Sequence, residues 1–327
     1  MKEDYPLCSL KMKLPPLASA PLDHPPGEPS AALRRAAEAW PESGRSSQLQ
    51  TILRAAGLIP PRFVLAATSP NVEPSDLPLA AVLAECLPGR SAVVMAPQIE
   101  ATLAEQTRHE LAVELLRALE QILQVAGVLL AQGLTANRED PASAWFQAAG
   151  YRDAGDLLYL SADLSETLLQ PVRPPLFGPL ELLAHPLSDF DRWVPLVEQT
   201  YLHTLDCPAV DGLRPTRDVL IGYRDIGQPR DDWSFIVQHA GRDVGCLIIA
   251  DHRETAHAEL VYMGLIPETR GRGWGVFLAQ EAQRIAAAAG ASHLVLSVDA
   301  ANRPALRHYQ SAGFRFWEQR TIWIKGL

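Results

Sequence analysis

The chain has 327 residues, a formal net charge of −9 and 47% hydrophobic residues. This length favours two domains, and the composition is that of a globular protein rather than a disordered or fibrous one. An acidic chain lacks the basic surface that general nucleic-acid binding requires, so no nucleic-acid partner is expected. No run of about 18 uncharged apolar residues is present, which predicts no membrane span and no membrane partner.

The four cysteines, Cys8, Cys86, Cys207 and Cys246, lie far apart in the sequence. They form no C-x-x-C pair, so neither a zinc site nor a disulfide scaffold is expected, and a reducing cytoplasm fits best. The His and Cys residues also lack metal-ligand spacing, which predicts no metal. Prolines and charges interrupt the N-terminal residues, which therefore do not resemble a signal peptide.

The predicted elements follow a proline-rich arm over residues 1–29. In the first half, hydrophobic periodicity predicts helices over 31–40 and 103–125 and strands over 62–67, 91–96, 128–131 and 157–161. A linker is predicted over 171–179, where prolines exclude a helix. In the second half, strands are predicted over 180–184, 233–239, 244–250, 258–265, 293–298 and 316–325, and helices over 188–202, 274–289 and 303–312.

An internal repeat relates the two halves. Asn137 and Phe146 in the first half correspond to Asn302 and Tyr309 in the second, within matching Ala-Asn-Arg and Gln-x-Ala-Gly segments. The offset is 165 residues before a two-residue gap and 163 after it. An ordered match near half the chain length predicts two copies of one fold.

The densest chemical signal is the turn Arg270-Gly-Arg-Gly-Trp-Gly275. It follows the predicted strand over 258–265 and opens the helix over 274–289. Free backbone amides and a positive helix end favour an anion at such a position, and a pyrophosphate is the natural ligand. The spacing fits neither the nucleotide P-loop nor the dinucleotide fingerprint.

With its context, this turn resembles the strand-loop-helix motif of the GNAT superfamily of acyl-CoA N-acyltransferases. Their signature, Gln/Arg-x-x-Gly-x-Gly/Ala, is matched by Arg270, Gly273 and Gly275. A second motif of the superfamily, Asn followed by a short helix and Tyr-x-x-x-Gly-Phe, is matched by Asn302 and by the segment from Tyr309 to Phe314. The resemblance covers the whole second half, and the two-copy architecture resembles the tandem mycothiol synthase family.

The resemblance implies an α/β fold with an α+β mixed sheet, built as two tandem GNAT-type domains. A degenerate domain is expected over 30–170 and a catalytic one over 180–327. Counted back from the helix stops Gly127 and Gly290, Glu110 takes the place of Gly273 in the first copy. A carboxylate there would repel a pyrophosphate, so the first copy is expected to bind no cofactor and to support the second. Two independently binding domains are the alternative.

The function implied is N-acetyl transfer from acetyl-CoA, as co-substrate, to a primary amine by direct attack in a ternary complex. Glu259 is the candidate base and Tyr309 the candidate general acid, since the amine must lose a proton and the leaving thiolate benefits from one. Glu254 and His257 are alternative bases, and Glu259 could instead be a strand-edge carboxylate in a salt bridge. Tyr309 could instead serve packing alone.

Ten residues are expected to contact acetyl-CoA, chiefly through the strand end and the turn: Met263, Gly264, Leu265, Arg270, Gly271, Arg272, Gly273, Trp274, Gly275 and Asn302. The amides of the first three would stabilise the oxyanion. Asn302 could instead only cap its helix, and His308 is expected to be a solvated helix residue.

The acceptor remains open between a small amine, a sugar-linked amine and a peptide N-terminus. Residues that could line its pocket are Trp193, Tyr201, His203, Asp206, Cys207, Tyr223 and Trp233. The alternative function is a non-catalytic acyl-CoA-binding sensor, which would keep the turn but would not need Glu259 or Tyr309. A structural tandem without any cofactor is a third possibility.

Overall fold

The computed structural model describes residues 63–67, 80–165, 175, 177–228 and 230–327. Within these residues the strands are β1 (Phe63–Ala67), β2 (Ala80–Leu87), β3 (Ser91–Val94), β4 (Gln98–Ile99), β5 (Leu130–Thr135), β6 (Arg152–Asp163), β7 (Glu181–Ala184), β8 (Ser234–His239), β9 (Arg242–His252), β10 (His257–Leu265), β11 (His293–Asp299) and β12 (Arg315–Gly326). The helices are α1 (Glu105–Val125), α2 (Pro141–Ala148), α3 (Phe190–Tyr201), α4 (Thr216–Arg224), α5 (Trp274–Ala288) and α6 (Arg303–Ser311).

The predicted mixed α/β class is confirmed, and every strand and helix predicted within the described residues is present with shifted ends. The sequence analysis missed β2, whose apolar residues show no clear alternation, and the short helices α2 and α4. The predicted arm over 1–29, the helix over 31–40 and most of the linker lie outside the described residues.

The strands form one sheet in the order β1-β2-β3-β5-β12-β6-β11-β10-β9-β8-β7, with β4 beside β2. The strand β12 therefore lies between two strands of the first half, and β6 lies between two strands of the second. Both pairings of β12, and the pairing of β6 with β11, are antiparallel. The sheet does not divide at the predicted linker, and the predicted domain limits stay a prediction.

The pairing of β6 with β12 has an internal two-fold symmetry. Arg152 lies opposite Ile324, and Arg315 lies opposite Ser161. Across the 163-residue offset, Arg152 corresponds to Arg315 and Ser161 corresponds to Ile324. Exchanging the two copies therefore turns the first pair into the second. The pairing of β5 with β12 corresponds in the same way to the pairing of β11 with β6: Thr135 lies opposite Thr321, and Val298 lies opposite Leu158.

Leu157 and Arg320 mark the pseudo-two-fold axis. They correspond to each other across the same offset, and they lie directly opposite each other in the sheet. The ends of α1 and α5, at Val125 and Ala288, also obey the offset. The two copies thus share one fold and exchange one strand reciprocally.

A half-buried lysine anchors β12 in the first copy. The Lys325 Nζ donates to Glu120 Oε2 and to the carbonyl of Ala149, both at 2.6 Å. At the corresponding place in the second copy, Gln283 Nε2 donates to the carbonyl of Ala312 at 2.7 Å. Burial raises the pKa of the Glu120 carboxyl, and the lysine opposes that rise. The carbonyl at the end of α2 in the first copy therefore accepts its hydrogen bond from the Lys325 cation of the exchanged strand, whereas its counterpart in the second copy accepts from a neutral glutamine.

Lys325→Met is expected to lower the free energy of unfolding by about 3–5 kcal/mol, because it leaves Glu120 buried without a cation. The deficit should shrink as the pH falls. Burial raises the folded-state pKa of Glu120, so the folded state gains a proton more readily than the unfolded state. Urea unfolding at several pH values measures both effects.

The control is the double variant Glu120→Gln, Lys325→Met. A glutamine at position 120 can donate to Ala149 as Gln283 donates to Ala312, so most of the stability should return. Equal losses in the single and double variants would contradict the role assigned to the buried charge.

Candidate active site at the diverging strands

The strands β10 and β11 lie side by side only at their beginnings. Parallel pairing joins 257–259 to 293–295. Beyond Glu259, β10 pairs only with β9 and β11 only with β6, so the two strands diverge. The predicted oxyanion residues, Met263, Gly264 and Leu265, lie on the edge of β10 beside this opening. Because backbone groups alternate sides along a strand, part of this edge presents unpaired groups to the opening.

Gly264 is required here by the close approach of α3. A Cβ at this position would lie 2.8 Å from the Thr200 Cβ and 2.8 Å from the Tyr262 hydroxyl. The Tyr262 hydroxyl is itself 2.7 Å from the Thr200 hydroxyl. Position 264 has no room for a side chain, so only its backbone borders the opening.

The glycine turn leads from this opening into α5. Gly271 and Gly273 have φ values of +78° and +73°, which side chains rarely adopt, and Gly273 is the N-cap. Apart from the adjoining backbone, no atom of the described residues lies within 4 Å of where a Cβ on either glycine would stand. Among the described residues, none accepts a hydrogen bond from the amides of residues 271–273. Free amides, open space and a helix N-terminus fit an anionic group.

The two arginines of the turn have different surroundings. The Arg270 guanidinium donates to the carbonyls of Leu265 (3.0 Å), His203 (3.2 Å) and Thr200 (2.8 Å). It thereby ties the end of α3 to the end of β10 and is not directed at the turn's amides. Arg272 donates one hydrogen bond, to the carbonyl of Glu268 at 3.3 Å, and its guanidinium lies 5.1 Å from the centre of the Trp274 ring. It is the freer cation beside the turn.

Trp274 and Gly275 serve the packing of α5. The Trp274 side chain is fully buried, so only its backbone amide can meet a ligand. A Cβ on Gly275 would lie 2.6 Å from the His308 Nδ1, so this glycine lets α6 approach α5. The expectation that His308 is a solvated residue is wrong: it is half-buried, and burial lowers its pKa.

A carboxylate network closes the end of β11. The Asp206 carboxylate accepts the Asp299 amide at 3.0 Å, and the Asp299 carboxylate accepts the Cys207 amide at 3.0 Å. Asn302 caps α6 by accepting the Ala305 amide at 3.2 Å, and its side chain also hydrogen-bonds Asp206. The polar groups of Asn302 are thus already engaged by capping and by this network.

Tyr309 is buried beside the same network. Its ring meets Phe314 edge-on with centroids 5.5 Å apart. Burial and the charge of Asp206 raise the pKa of the phenol, which therefore keeps its proton at neutral pH. The first copy has the pair Phe146 and Tyr151 at these positions, 5.0 Å apart, with the hydroxyl on the other ring.

Glu259 lies at the last residue pair before the strands diverge. Its carboxylate is 3.1 Å from the His252 Nε2 and about one-third exposed, at 34%. The His252 ring stacks on His257, with centroids 4.6 Å apart. Glu254, an alternative base, is exposed in the turn between β9 and β10. Glu259 therefore stands where the strands diverge, as a base would. It also has a salt-bridge partner, His252, as the alternative interpretation requires.

Tyrosines group on the α3 side of the opening. The hydroxyls of Tyr201 and Tyr223 lie 3.3 Å apart, and both rings meet Tyr262. The sequence analysis missed Tyr262 because strand alternation across a bulge hides its direction. Trp193 and Trp233, two of the residues that could have lined the pocket, are instead buried in the hydrophobic core.

In the described part of the chain, no group of three or more His, Cys, Asp or Glu residues could hold a metal ion. Nor does any described helix combine the length and apolarity needed to cross a membrane.

Residues 199–314 match the acetyltransferase (GNAT) family. This range includes the diverging strands, the glycine turn and Tyr309. The range that matches the family therefore encloses the site described above.

Individual relatives match different lengths of the chain. A mycothiol acetyltransferase from Acidothermus cellulolyticus is 33% identical over 75 residues, which cover 23% of this chain and 23% of that relative. The structure of a GCN5-related N-acetyltransferase from Sphaerobacter thermophilus covers 90% of both chains with a TM-score of 0.55 and 17% identity. A tandem GNAT protein from the clavulanic acid biosynthesis pathway has a TM-score of 0.49 and 13% identity, over 90% of this chain and 92% of its own. The Sphaerobacter likeness extends the shared fold over both halves.

Arg270→Lys is expected to loosen the segment between α3 and α4, because lysine keeps the charge but cannot hold three carbonyls. Amide hydrogen exchange over 202–207 should accelerate about tenfold or more, since hydrogen bonds from a charged group stabilise by about 1.5–3 kcal/mol. Arg272→Ala is the control and should leave this exchange unchanged. Equal protection in both variants would contradict the role of Arg270.

Proposed function

We propose that the protein is an N-acetyltransferase that moves an acetyl group from acetyl-CoA to a primary amine in a ternary complex. The observation that carries this proposal is the divergence of β10 from β11 beside a glycine turn with free amides. The turn suits a pyrophosphate, and the open edge of β10 suits the pantetheine arm and the acetyl carbonyl. The GNAT match over 199–314 supports the same class of co-substrate.

The attacking amine must first be neutral, since a free alkylammonium has a pKa of about 10.4. Glu259 takes this proton directly or through a water. The nitrogen bonds to the thioester carbonyl carbon, and the carbonyl electron pair moves to oxygen. Amides on the β10 edge stabilise that oxyanion until the C–S bond breaks and the amide product forms.

Tyr309 assists the departing sulfur. Because burial raises its pKa, the phenol is protonated when the thiolate develops, and it donates a hydrogen bond to the sulfur. The same shift makes it a weaker acid than an ordinary phenol. Its contribution is therefore chiefly this hydrogen bond, and the departing thiolate takes the proton that the acetylated nitrogen loses, so that CoA leaves as the thiol.

Asp206 is a second candidate base. Desolvation raises the pKa of its carboxyl, and it lies close enough to Tyr309 to raise that residue's pKa as well. A carboxylate with a raised pKa inside a cleft is a candidate for proton transfer. Glu259 remains the first candidate because it stands where the strands diverge, whereas Asp206 is already engaged by Asp299 and Asn302.

The first copy is proposed to bind no acetyl-CoA. Its helix α1 begins at Glu105, six residues before the position that corresponds to the start of α5, which lengthens it by about 9 Å. Ala104 is its N-cap, and residues 100–104 contain no glycine. Glu110 was expected to stand in the turn itself but lies inside the helix. The first copy therefore has helix where the second copy has the glycine turn, and does not simply carry a negative charge in an otherwise similar turn.

Calorimetric titration with acetyl-CoA should find one site per chain, and Gly273→Glu should abolish it, because the new carboxylate would stand at the anion site. The control is Gly290→Glu, at the other end of the same helix. It has the same charge, an open Cβ position and a φ of +88°, and should bind as the wild type does. No binding by the wild type, or two sites, would contradict the proposal.

Glu259→Gln is expected to lower kcat about 100-fold or more while leaving acetyl-CoA affinity unchanged, since proton transfer contributes about 10²–10⁴-fold. Tyr309→Phe should lower kcat with little change in KM for the amine. Initial rates across a pH series measure both. A larger loss in Asp206→Asn than in Glu259→Gln would transfer the role of base to Asp206. Binding of acetyl-CoA without turnover of any amine would favour the sensor.

A further inference from the structure

The pseudo-two-fold axis lets the acceptor side of the site be compared with its counterpart in the first copy. There an apolar patch on the sheet is formed by Leu130, Ala154, Ile322 and Ile324. Three apolar residues from the segment between α3 and α4 cover it: Ala209, Val210 and Leu213. In the first copy, this face of the exchanged strands is therefore filled by the chain itself.

The corresponding patch near the candidate active site has a different character. Across the offset of 163 residues, its members are His293, Trp317, Tyr159 and Ser161. Trp317 stands at an irregularity of the β12 register and remains 38% exposed. An aliphatic patch that the chain covers thus becomes an aromatic and polar patch whose tryptophan is open to solvent.

This aromatic pair lies across β11 from the strand that carries the candidate base. The rings of Tyr159 and Trp317 have centroids 5.7 Å apart at an angle of 56°. Tyr159 lies opposite Ser297 of β11, and Glu259 lies in register with Val295 of the same strand, so only β11 separates their two strands in the sheet. Burial raises the pKa of the Tyr159 phenol to about 12; the carboxylates of Glu318 and Glu259 add to the rise, and Arg320 opposes it.

We propose that Tyr159 and Trp317 form the platform that selects the amine acceptor, and that this acceptor is an amine attached to a flat apolar ring, an arylalkylamine. The inference deepens the proposed function and rests on it. A ring stacks on an exposed indole face in offset or edge-on geometry, and a nearby ammonium gains from the same π face. The carboxylate of Glu259 complements that ammonium, whereas Glu318 is already paired with Arg320.

The platform explains why the second copy needs the first. Tyr159 belongs to β6 of the first copy, and Trp317 belongs to the exchanged strand β12. The two rings meet only because these strands pair with each other. An isolated second copy would keep the glycine turn and Tyr309 but would lose half of the platform.

The test is steady-state acetylation of 2-phenylethylamine, 2-cyclohexylethylamine and n-octylamine, which have eight carbons each. The wild type should prefer the flat ring by about tenfold in kcat/KM, and Trp317→Ala should raise KM for 2-phenylethylamine by about 5–10-fold, as ring stacking and cation–π contacts predict. Trp317→Phe should restore most of the loss. The KM for acetyl-CoA and the rates with n-octylamine should not change.

Phe316→Ala is the matched control. Phe316 is the preceding residue of β12 and is 58% exposed, but it lies opposite Leu160, whose side chain belongs to the hydrophobic core. It should leave every constant unchanged.

Two results separate the platform from the proposed function. If the wild type acetylates all three amines equally, or if Phe316→Ala matches Trp317→Ala, the platform is overturned while the acetyltransferase stands. If acetyl-CoA does not bind, the proposed function fails. Calorimetric binding of 2-phenylethylamine to the CoA-saturated protein gives a readout without turnover, and equal affinity in the wild type and Trp317→Ala would also overturn the platform.

Discussion

The pairing of β6 with β12 is the interaction on which the rest of the molecule depends. Each strand completes the sheet of the other copy. The residue pairs of the two strands are related by the pseudo-two-fold axis at Leu157 and Arg320. Neither half therefore has a continuous sheet without the other. The Lys325 anchor reinforces the same point, since a cation from one copy neutralises the buried Glu120 of the other.

The position of the segment between α3 and α4 depends on this exchange of strands. The segment between α3 and α4 rests on the exchanged strands, where Arg152 donates to the carbonyl of Ala209 at 2.5 Å. Farther along, Arg214 donates to the carbonyl of Gly89 at 2.8 Å, in the turn that joins β2 to β3. Gly89 has no room for a side chain, because a Cβ would lie 2.0 Å from the Asp218 carbonyl. The first copy, whose helix α1 begins without a glycine turn, thus holds this segment of the second copy in place.

Sequence reasoning succeeded where the signal is local. The glycine turn, the cap at Asn302 and the strand leading to Glu259 are set by short-range backbone preferences, and the repeat made the second copy checkable against the first. It failed where partners come from distant parts of the chain. Nothing near Arg270 in sequence indicates that its guanidinium holds carbonyls 67 and 70 residues away. The strand exchange, and with it the meeting of Tyr159 and Trp317, is likewise invisible to periodicity.

The central place of β12 also has a consequence for how the chain folds during synthesis. Residues 315–326 are made after every other described strand, yet they lie in the middle of the sheet. Until they emerge, the facing edges of β5 and β6 lack a partner between them, and exposed strand edges recruit other chains. Such distant pairing slows folding, because a long loop must close before the contacts form. Two full-length chains that meet before they have folded can satisfy the same edges by donating β12 to each other. The exchange that occurs within one molecule can then occur between two molecules.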